Sequence, residues 1–352
     1  MIIYVMHSIE EITGIVETFE SVIWNMQFFG VSDFELILPY NPAADIYTIG
    51  TMLVRDQDVG TSEFHNVMRI EKRKITYNVD KGWILTLSGS GLKKIVGQRL
   101  VWEQTNFEGE NVETAIRQVI TDNIIYPDDS DREIDNFILD TAVGFTDTFD
   151  AQLFGDNIAE WLESTCQIYG YGWDVYIKDG KYVFTLIKGT ERVYNQAGVD
   201  PVVFSPEFDN LVSASYEYDT SGFYNVALVG GEGDGIDQVS AAVGTATGLD
   251  RYEMYVDGSS VSSNGEIITM QTYLAMLQTY GSEQLTDANK VVEQFEGEVI
   301  QGLYTLDKDF FLGDVVEINM VGITAKSRII EVIYSEDQNG SSILPTFASW
   351  EV

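Results

Sequence analysis

The sequence has few of the residues on which disulfide frameworks and most metal sites depend. Its 352 residues include one cysteine, Cys166, and two histidines, His7 and His65. A single cysteine excludes an internal disulfide, and an unpaired thiol is typical of assembly in a reducing compartment. We expect Cys166 to be a small buried residue on a helix. The two histidines lie far apart, without other ligands at metal spacing, so we expect structural or surface roles for them.

Long apolar runs are also missing from the chain. No run approaches the roughly 18 residues that a membrane-spanning helix requires. The apolar start at residues 1–6 is too short for a signal peptide, lacks a basic lead and runs into Glu10 and Glu11. The sequence therefore predicts neither a targeting segment nor a membrane span.

The motifs of familiar chemistries are incomplete. Residues 88–91 read Ser-Gly-Ser-Gly, with a serine where a nucleophile elbow needs its first glycine. The glycines within residues 230–235 alternate with acids and no lysine follows, which excludes a phosphate cradle. Residues 128–133 are acidic enough to hold calcium but lack the glycine and distal glutamate of an EF-hand loop. We expect no cofactor, no metal and no enzyme activity, although the 56 acidic residues leave a carboxylate-dependent glycan hydrolase as an alternative.

Basic residues are scarce, since 20 lysines and arginines face 56 acids, for a net charge of -36. A field of that sign repels nucleic acid and anionic membranes, so we expect stable binding to neither. It suits a wall along which DNA slides without adhering. Adaptation to salt and a generic acidic surface are the alternative explanations.

What the chain does contain is a repeated pattern of β-strands. Gly50 and Gly313 each open a strand and lie 263 positions apart, while Arg69 and Arg328 each open a longer strand 259 positions apart. A turn follows in both places, at Gly82 and Gly340, 258 positions apart. Such self-similarity indicates an internal duplication. The alternative is that hairpins in any β-rich chain look alike.

The pattern extends upstream with a different spacing. Residues 22–28 and 34–38 predict a hairpin, and residues 212–218 and 223–228 repeat its pattern 190 positions later. The second copy would then carry about seventy extra residues after its hairpin. These include a strand at residues 251–257, a helix at residues 269–292 kinked or split at Gly281, and a returning strand at residues 294–303.

These elements predict a mostly β, α+β protein with two tube-like β-barrel modules duplicated in one chain. In the first copy we expect strands near residues 19–28, 34–38, 51–55, 66–78 and 83–89. The acidic segment between the copies predicts two helices, from Asn111 to Ile124 and over residues 156–168, then a hairpin of residues 172–177 and 182–187. The predicted domains are a leading segment 1–18, a first barrel 19–102, an α+β domain 103–207, a second barrel 208–230 and 294–352, and an insertion 231–293.

The basic residues cluster in the first copy, where residues 69–99 hold eight of the twenty. The following residues 103–174 carry seventeen acids and two arginines. On an unbroken strand, Lys72 and Lys74 share one face, and Arg69 and Arg73 share the other. An edge strand guarded by lysines is one explanation, and a contact with an acidic neighbouring subunit is the other. For the second, the candidate interface residues are Arg69, Lys72, Arg73, Lys74, Lys93, Lys94 and Arg99.

Exposed aromatic residues offer a different function. Trp24, Tyr40, Trp102 and Tyr171 could stack on sugars in a carbohydrate-binding surface module, or else pack in the core or between subunits. We favour packing.

Several segments together resemble the baseplate-hub, or tail-tip, proteins of long-tailed bacteriophages and phage-derived injection particles. They span nearly the whole chain in order: the strand of Trp24 leading to residues 34–39, residues 87–92 with Gln98 and Arg99, residues 203–206 with Asn210 and Leu211, residues 225–232, residues 251–257 and residues 312–315. One departure is Thr51, where the second copy has the acid Asp314.

The resemblance implies a mechanical role without catalytic residues. It implies a homotrimer with six quasi-equivalent barrels, located at the tail tip of the virion and assembled in the cytoplasm of the bacterial host. The partners would be a hexameric tail-tube protein above, a spike, fibre or other baseplate protein below, and a tape-measure protein in the channel.

Overall fold

The computed structural model describes residues 1–42, 45–194, 196, 198–261, 269–288, 292–300, 303–320 and 322–349. These residues divide into two compact units, one of residues 1–215 with 295–352 and the other of residues 216–294. The architecture is mixed α+β and mostly strand, as the sequence predicted. The described strands do not close into a barrel. The first and last strands of their longest path of paired strands do not pair with each other.

The first repeat lies between residues 1 and 102. Its first strand pairs with the last strand in the sheet order of this repeat. Its strands are β1 (Ile3–Met6), β2 (Gly14–Ile15), β3 (Ser21–Gln27), β4 (Asp33–Pro39), β5 (Met52–Arg55), β6 (Glu63–Phe64), β7 (Met68–Asn78) and β8 (Gly82–Gly91). Alternating burial along β3 and β4 places Trp24, Phe34 and Leu36 in the core. β1 pairs antiparallel with β5, which attaches the start of the chain to the end of this repeat.

The acidic α+β segment follows, with its predicted helices and hairpin in place. It contains β9 (Thr105–Asn111), α1 (Val112–Ile120), β10 (Phe137–Leu139), β11 (Thr148–Leu153), α2 (Ile158–Tyr169), β12 (Gly172–Lys178) and β13 (Lys181–Ile187). Asn111 caps α1 by accepting from the Thr114 amide at 3.0 Å, and Gly170 ends α2 in the left-handed conformation. A π-helical turn over residues 121–125 extends α1. Cys166 is fully buried on α2, as predicted.

The second repeat starts after β14 (Glu191–Arg192) and β15 (Val203–Phe204) with β16 (Leu211–Asp219). The predicted hairpin of residues 212–218 and 223–228 is wrong. The strand β17 (Val226–Gly230) joins a separate sheet with β18 (Ser240–Val243) and β19 (Glu253–Asp257). That sheet and α3 (Met270–Ala288) belong to the unit of residues 216–294, whose core includes Val229, Tyr273 and Leu277.

The helix α3 runs unbroken through Gly281, so the predicted split at this residue is wrong. A Cβ at Gly281 would lie 2.3 Å from Val229 Cγ2 and 2.8 Å from Val243 Cγ2. The glycine therefore lets the helix approach β17 and β18 closely, and packing outweighs the cost of roughly 1 kcal/mol that glycine carries in a helix. Part of the predicted helical range, residues 289–291, lies outside the described residues.

The second repeat is completed by β20 (Val292–Val299), β21 (Val315–Met320), β22 (Ile323–Asp337) and β23 (Gly340–Ser349). β16 pairs with β20, so the returning strand takes the place that the prediction had given to residues 223–228. The neighbours run β3-β4-β8-β7-β5 in the first repeat and β16-β20-β23-β22-β21 in the second. The two repeats therefore share one strand order, with the additional unit inserted between the first and second strands of the second copy.

Candidate subunit interface

The two repeats reproduce each other down to single hydrogen bonds. Gly50 and Gly313 both have positive φ, 89° and 92°. The Gly50 amide donates to the Ile70 carbonyl at 2.8 Å, and the Gly313 amide donates to the Ile329 carbonyl at 2.8 Å. Because glycine alone adopts this conformation without strain, the shared Gly turn fixes how each repeat enters its long strand. The sequence offsets of 263 and 259 are thereby tied to equivalent positions in space.

A β-bulge lies at the same place in both long strands. The register shifts between Ile70 and Lys72 on β7, and between Ile329 and Glu331 on β22. One extra residue in a strand moves the following side chains to the opposite face. The prediction that Arg69 and Arg73 share a face is therefore wrong, since the bulge at Glu71 places Arg69 on the face of Lys72. Lys72 and Lys74 share a face, as predicted.

The edge of β7 beyond the bulge carries three of the seven predicted interface residues, Lys72, Arg73 and Lys74. Lys72 and Lys74 are exposed, and so are Ile75 (43%) and Tyr77 (61%). Arg73 is half-buried and forms an ion pair with Asp45 of its own chain. β8 pairs with this whole segment on one side, whereas β5 contacts the other side only at Met68 and Arg69.

Three other predicted residues follow β8, and one of them faces inward. Lys93 is buried and donates from Nζ to the carbonyls of Gln27, Phe28 and Gly30 at 2.7–3.1 Å. Burial lowers the pKa of its ammonium from 10.5 to about 8. Lys93 is therefore an internal brace and not a surface residue. Lys94 is exposed, while the Arg99 guanidinium donates to the Arg132 carbonyl at 2.8 Å.

The counterpart of the β7 edge is covered within the chain. β22 pairs antiparallel with β3, and in this internal joint Tyr334 lies opposite Trp24, Val332 opposite Met26. Trp24 and Val332 are fully buried. The guanidinium of Arg55 lies 5.9 Å from the ring centres of both Trp24 and Tyr334. The joint therefore links the second repeat to the first, edge to edge, by backbone pairing and an aromatic core.

The end of β3 is held in this joint by contacts that sequence reasoning missed. The Phe28 amide donates to the Ile330 carbonyl at 2.8 Å, and the ring lies where a Cβ at Gly172 or Gly313 would stand. The Arg328 guanidinium carbon lies 5.4 Å from the centre of the Phe28 ring. Burial lowers the pKa of Arg328 to about 10. The two glycines leave a slot for an aromatic ring, and finding that slot from sequence would have required pairing Gly172 with Phe28 in advance.

The acid that distinguishes the second copy also has a structural role. Asp314 is buried, accepts from the Thr190 amide at 2.8 Å and pairs with Arg192 at 2.6 Å. At the matching position of the first copy, Thr51 instead contacts Thr48 by hydrogen bonds of 3.0 and 3.2 Å. Asp314 thus attaches β14 to the second repeat, and the first repeat has β1 at that edge.

The aromatic residues considered for sugar binding do not form one surface. Trp24 and Tyr171 are buried, and Tyr40 is half-buried. Trp102 is exposed, with the Arg132 guanidinium 4.9 Å from its ring centre. The structure therefore favours a packing role for Trp24 and Tyr171.

The family of the chain follows from a match that covers nearly all of it. Residues 3–347 match the family described as Siphovirus ReqiPepy6 Gp37-like protein. The chain belongs to this family. The resemblance to phage tail-tip proteins is thereby confirmed. No curated protein matches it by sequence.

The fold of this Gp37-like chain recurs in solved tail proteins. A tail protein from Neisseria meningitidis MC58 has a TM-score of 0.60 and 16% identity, with 99% of this chain and 96% of that chain covered. The 43 kDa tail protein of prophage MuSo2 from Shewanella oneidensis has a TM-score of 0.56 and 13% identity, with 99% and 98% covered. A chain of the lidless PdpA–VgrG complex has a TM-score of 0.51 and 11% identity, with 99% and 64% covered. At such identities the likeness establishes the fold.

Two further features of the described residues bear on other functions. These residues contain no group of three or more histidine, cysteine or acidic side chains placed to hold a metal ion. None of the helices in the described part of the chain is long and apolar enough to cross a membrane.

Proposed function

We propose that three copies of this chain form a ring with six quasi-equivalent repeats at the distal end of a phage tail tube. The observation that carries the proposal is the internal joint, where one repeat continues the sheet of the other through β22 and β3. A contact of this head-to-tail kind closes into a ring when the same step is repeated at the right rotation. Each repeat would complete a tube-like barrel module only in the company of its neighbours.

The ring would join partners of different symmetry. A surface with six similar repeats suits a hexameric tail-tube protein above, while three identical chains suit a threefold spike, fibre or other baseplate protein below. The net charge of -36 supports a channel that DNA and a tape-measure protein traverse without adhering. The role is mechanical, and the protein would reside in the tail tip of the virion after assembly in the host cytoplasm.

The direct test is the oligomeric state and symmetry of the purified full chain. Native mass spectrometry should give three times the chain mass of 39.4 kDa, and negative-stain images down the axis should show a ring with six similar lobes. Adding the cognate hexameric tube protein should place the two rings end to end. A monomer over the whole concentration range, or a ring without the sixfold pattern, would contradict the proposal.

A further inference from the structure

We propose that the free edge of β7 pairs antiparallel with β16 of the partner subunit, in the register of the internal joint. The inference rests on the proposed ring and specifies the contact that closes it. In such a ring each chain supplies one internal joint, β22 to β3, and one external joint, β7 to β16.

Both edges are available in the described part of the chain. β16 ends the pairing path of the sheet, with β20 as its described neighbour, and β7 beyond its bulge has β8 on one side. Ser213, Ala214, Ser215 and Glu217 on β16 are exposed, whereas every second residue of the equivalent strand β3 is buried. An unpaired edge of this length is a template for another strand. The match between the two repeats identifies that strand: β22 pairs with β3 in the internal joint, and the counterparts of these two strands are β7 and β16.

The register follows from positions already matched between the repeats. β7 and β22 align with an offset of 259 that holds across their common bulge, and β3 and β16 align with an offset of 190. A Cβ at Gly297 would lie 3.0 Å from Leu211 Cδ2, 3.1 Å from the Ser213 carbonyl oxygen and 3.8 Å from Ala214 Cβ. Gly297 therefore lies beside residues 211–214 of β16, in agreement with the second offset, since Phe34 lies opposite Trp24 in the first repeat. Applying these two offsets to the register of the internal joint gives the opposed pairs of the external joint. They are Lys72 with Glu217 of the partner subunit, Lys74 with Ser215 of the partner subunit, Ile75 with Ala214 of the partner subunit, and Thr76 with Ser213 of the partner subunit.

The chemistry at the first pair supports this register. In the internal joint the amide of Gln27 hydrogen-bonds to the carboxylate of Glu331. The transferred register places Lys72 opposite Glu217 of the partner subunit at the same position, with Lys74 diagonal to that carboxylate. A polar pair is thus replaced by an opposite-charge pair on the same face. A shift of one residue would send the acid to the other face of the sheet.

The residue that follows β3, Phe28, also has a counterpart near the end of β16. Phe28 of the internal joint lies against Gly313 with the Arg328 guanidinium near its ring. Its counterpart on β16 is Tyr218, which is 60% exposed, and the counterparts of the slot are Gly50 and Arg69. A Cβ at Gly50 would meet only the Arg69 guanidinium within 4 Å. The geometry therefore leaves room at Gly50 for Tyr218 of the partner subunit.

Cysteine cross-linking tests the register directly. Two full-length chains are prepared, one with Thr76→Cys and one with Ser213→Cys, and mixed under mild oxidation. Opposed residues of antiparallel strands have Cα atoms about 4.5–5.5 Å apart, within the range of roughly 4.4–6.8 Å that a disulfide spans. We expect a covalent dimer only in the mixture, because each single variant lacks the opposed thiol and Cys166 is buried. Mixing Thr76→Cys with Glu217→Cys is the matched control, since four residues along a strand displace the thiol by about 13 Å.

The outcomes separate the inference from the proposed function. Cross-linking of the opposed pair and not of the displaced pair supports the register. Cross-linking of neither, or of the displaced pair, while native mass spectrometry still shows a trimer, overturns the strand pairing and leaves the ring intact. A monomer in the same samples overturns both.

Discussion

Reversing the charge of Lys72 should weaken the ring by an amount that the sheet geometry sets. An opposite-charge pair across two strands contributes about 0.2–1 kcal/mol, and like charges opposite each other destabilise by a similar amount. Lys72→Glu therefore should cost about 0.4–2 kcal/mol at each junction of the proposed ring. Over three junctions the total of about 1–6 kcal/mol corresponds to roughly a 10- to 10⁴-fold shift in the trimer equilibrium.

The assay is native mass spectrometry over a dilution series, with circular dichroism to confirm folding. Glu217→Lys alone should weaken the trimer similarly, and the double variant Lys72→Glu with Glu217→Lys should restore most of it, because the pair is then attractive again. Lys181→Glu, an exposed residue at the β12–β13 hairpin, makes the same charge change away from this edge and should leave the trimer unchanged. Adding Lys74→Glu to Lys72→Glu should deepen the loss.

Two results would refute the reasoning behind this prediction. An unchanged trimer with Lys72→Glu would remove the β7 edge from the interface. A weakened trimer that Glu217→Lys does not restore would show that Lys72 contacts some other group. Raising the salt concentration should shrink the effect, since exposed charge pairs are screened over about 8 Å at physiological ionic strength.

Three further predictions concern the stability of the subunit. Asp58→Ala should cost about 3–5 kcal/mol in urea unfolding, because it leaves the fully buried Arg55 without its carboxylate at 2.5 Å. Gly172→Ala should cost about 1–3 kcal/mol, since its Cβ would meet the Phe28 ring, and Phe28→Leu should relieve part of the loss. Lys93 should make stability rise between about pH 8 and its ordinary 10.5, because the folded protein releases that proton first, so the rise should be absent from Lys93→Met.

The local features of the fold could be predicted because their causes lie within a few residues. Asn111 and Gly170 mark helix ends through their own backbone and side-chain chemistry, and the turn at Asp179 and Gly180 has positive φ at both residues. In the first repeat, β3 pairs with β4 and β7 pairs with β8, and each of these pairs consists of consecutive strands. These elements stand where the sequence predicted them.

The second repeat was harder because its partner strands are distant in sequence. β16 and β17 follow each other along the chain, so a hairpin was the natural prediction, yet β16 pairs with β20 across an inserted unit. The bulge at Glu71 could not be read from composition either, since it depends on the partner strand. Lys93 likewise looks like a surface residue until the carbonyls at the end of β3 surround it. Each miss concerns a contact between distant segments.

The internal joint and the proposed external joint share one strand pairing but differ in their side chains, which include a buried apolar cluster in the first and an opposite-charge pair in the second. One face of the internal joint is buried once the chain has folded, and it is filled with Trp24, Met26, Val332 and Tyr334. The edge of β7 is exposed in every subunit before assembly, and an apolar edge there would pair with any exposed strand. Lys72 and Lys74, at the positions that match Glu331 and Ile333, keep that edge soluble and favour an acidic partner over a neutral one. The clustering of basic residues in an otherwise acidic chain is therefore what a duplicated unit requires when one of its two joints must wait for a second subunit.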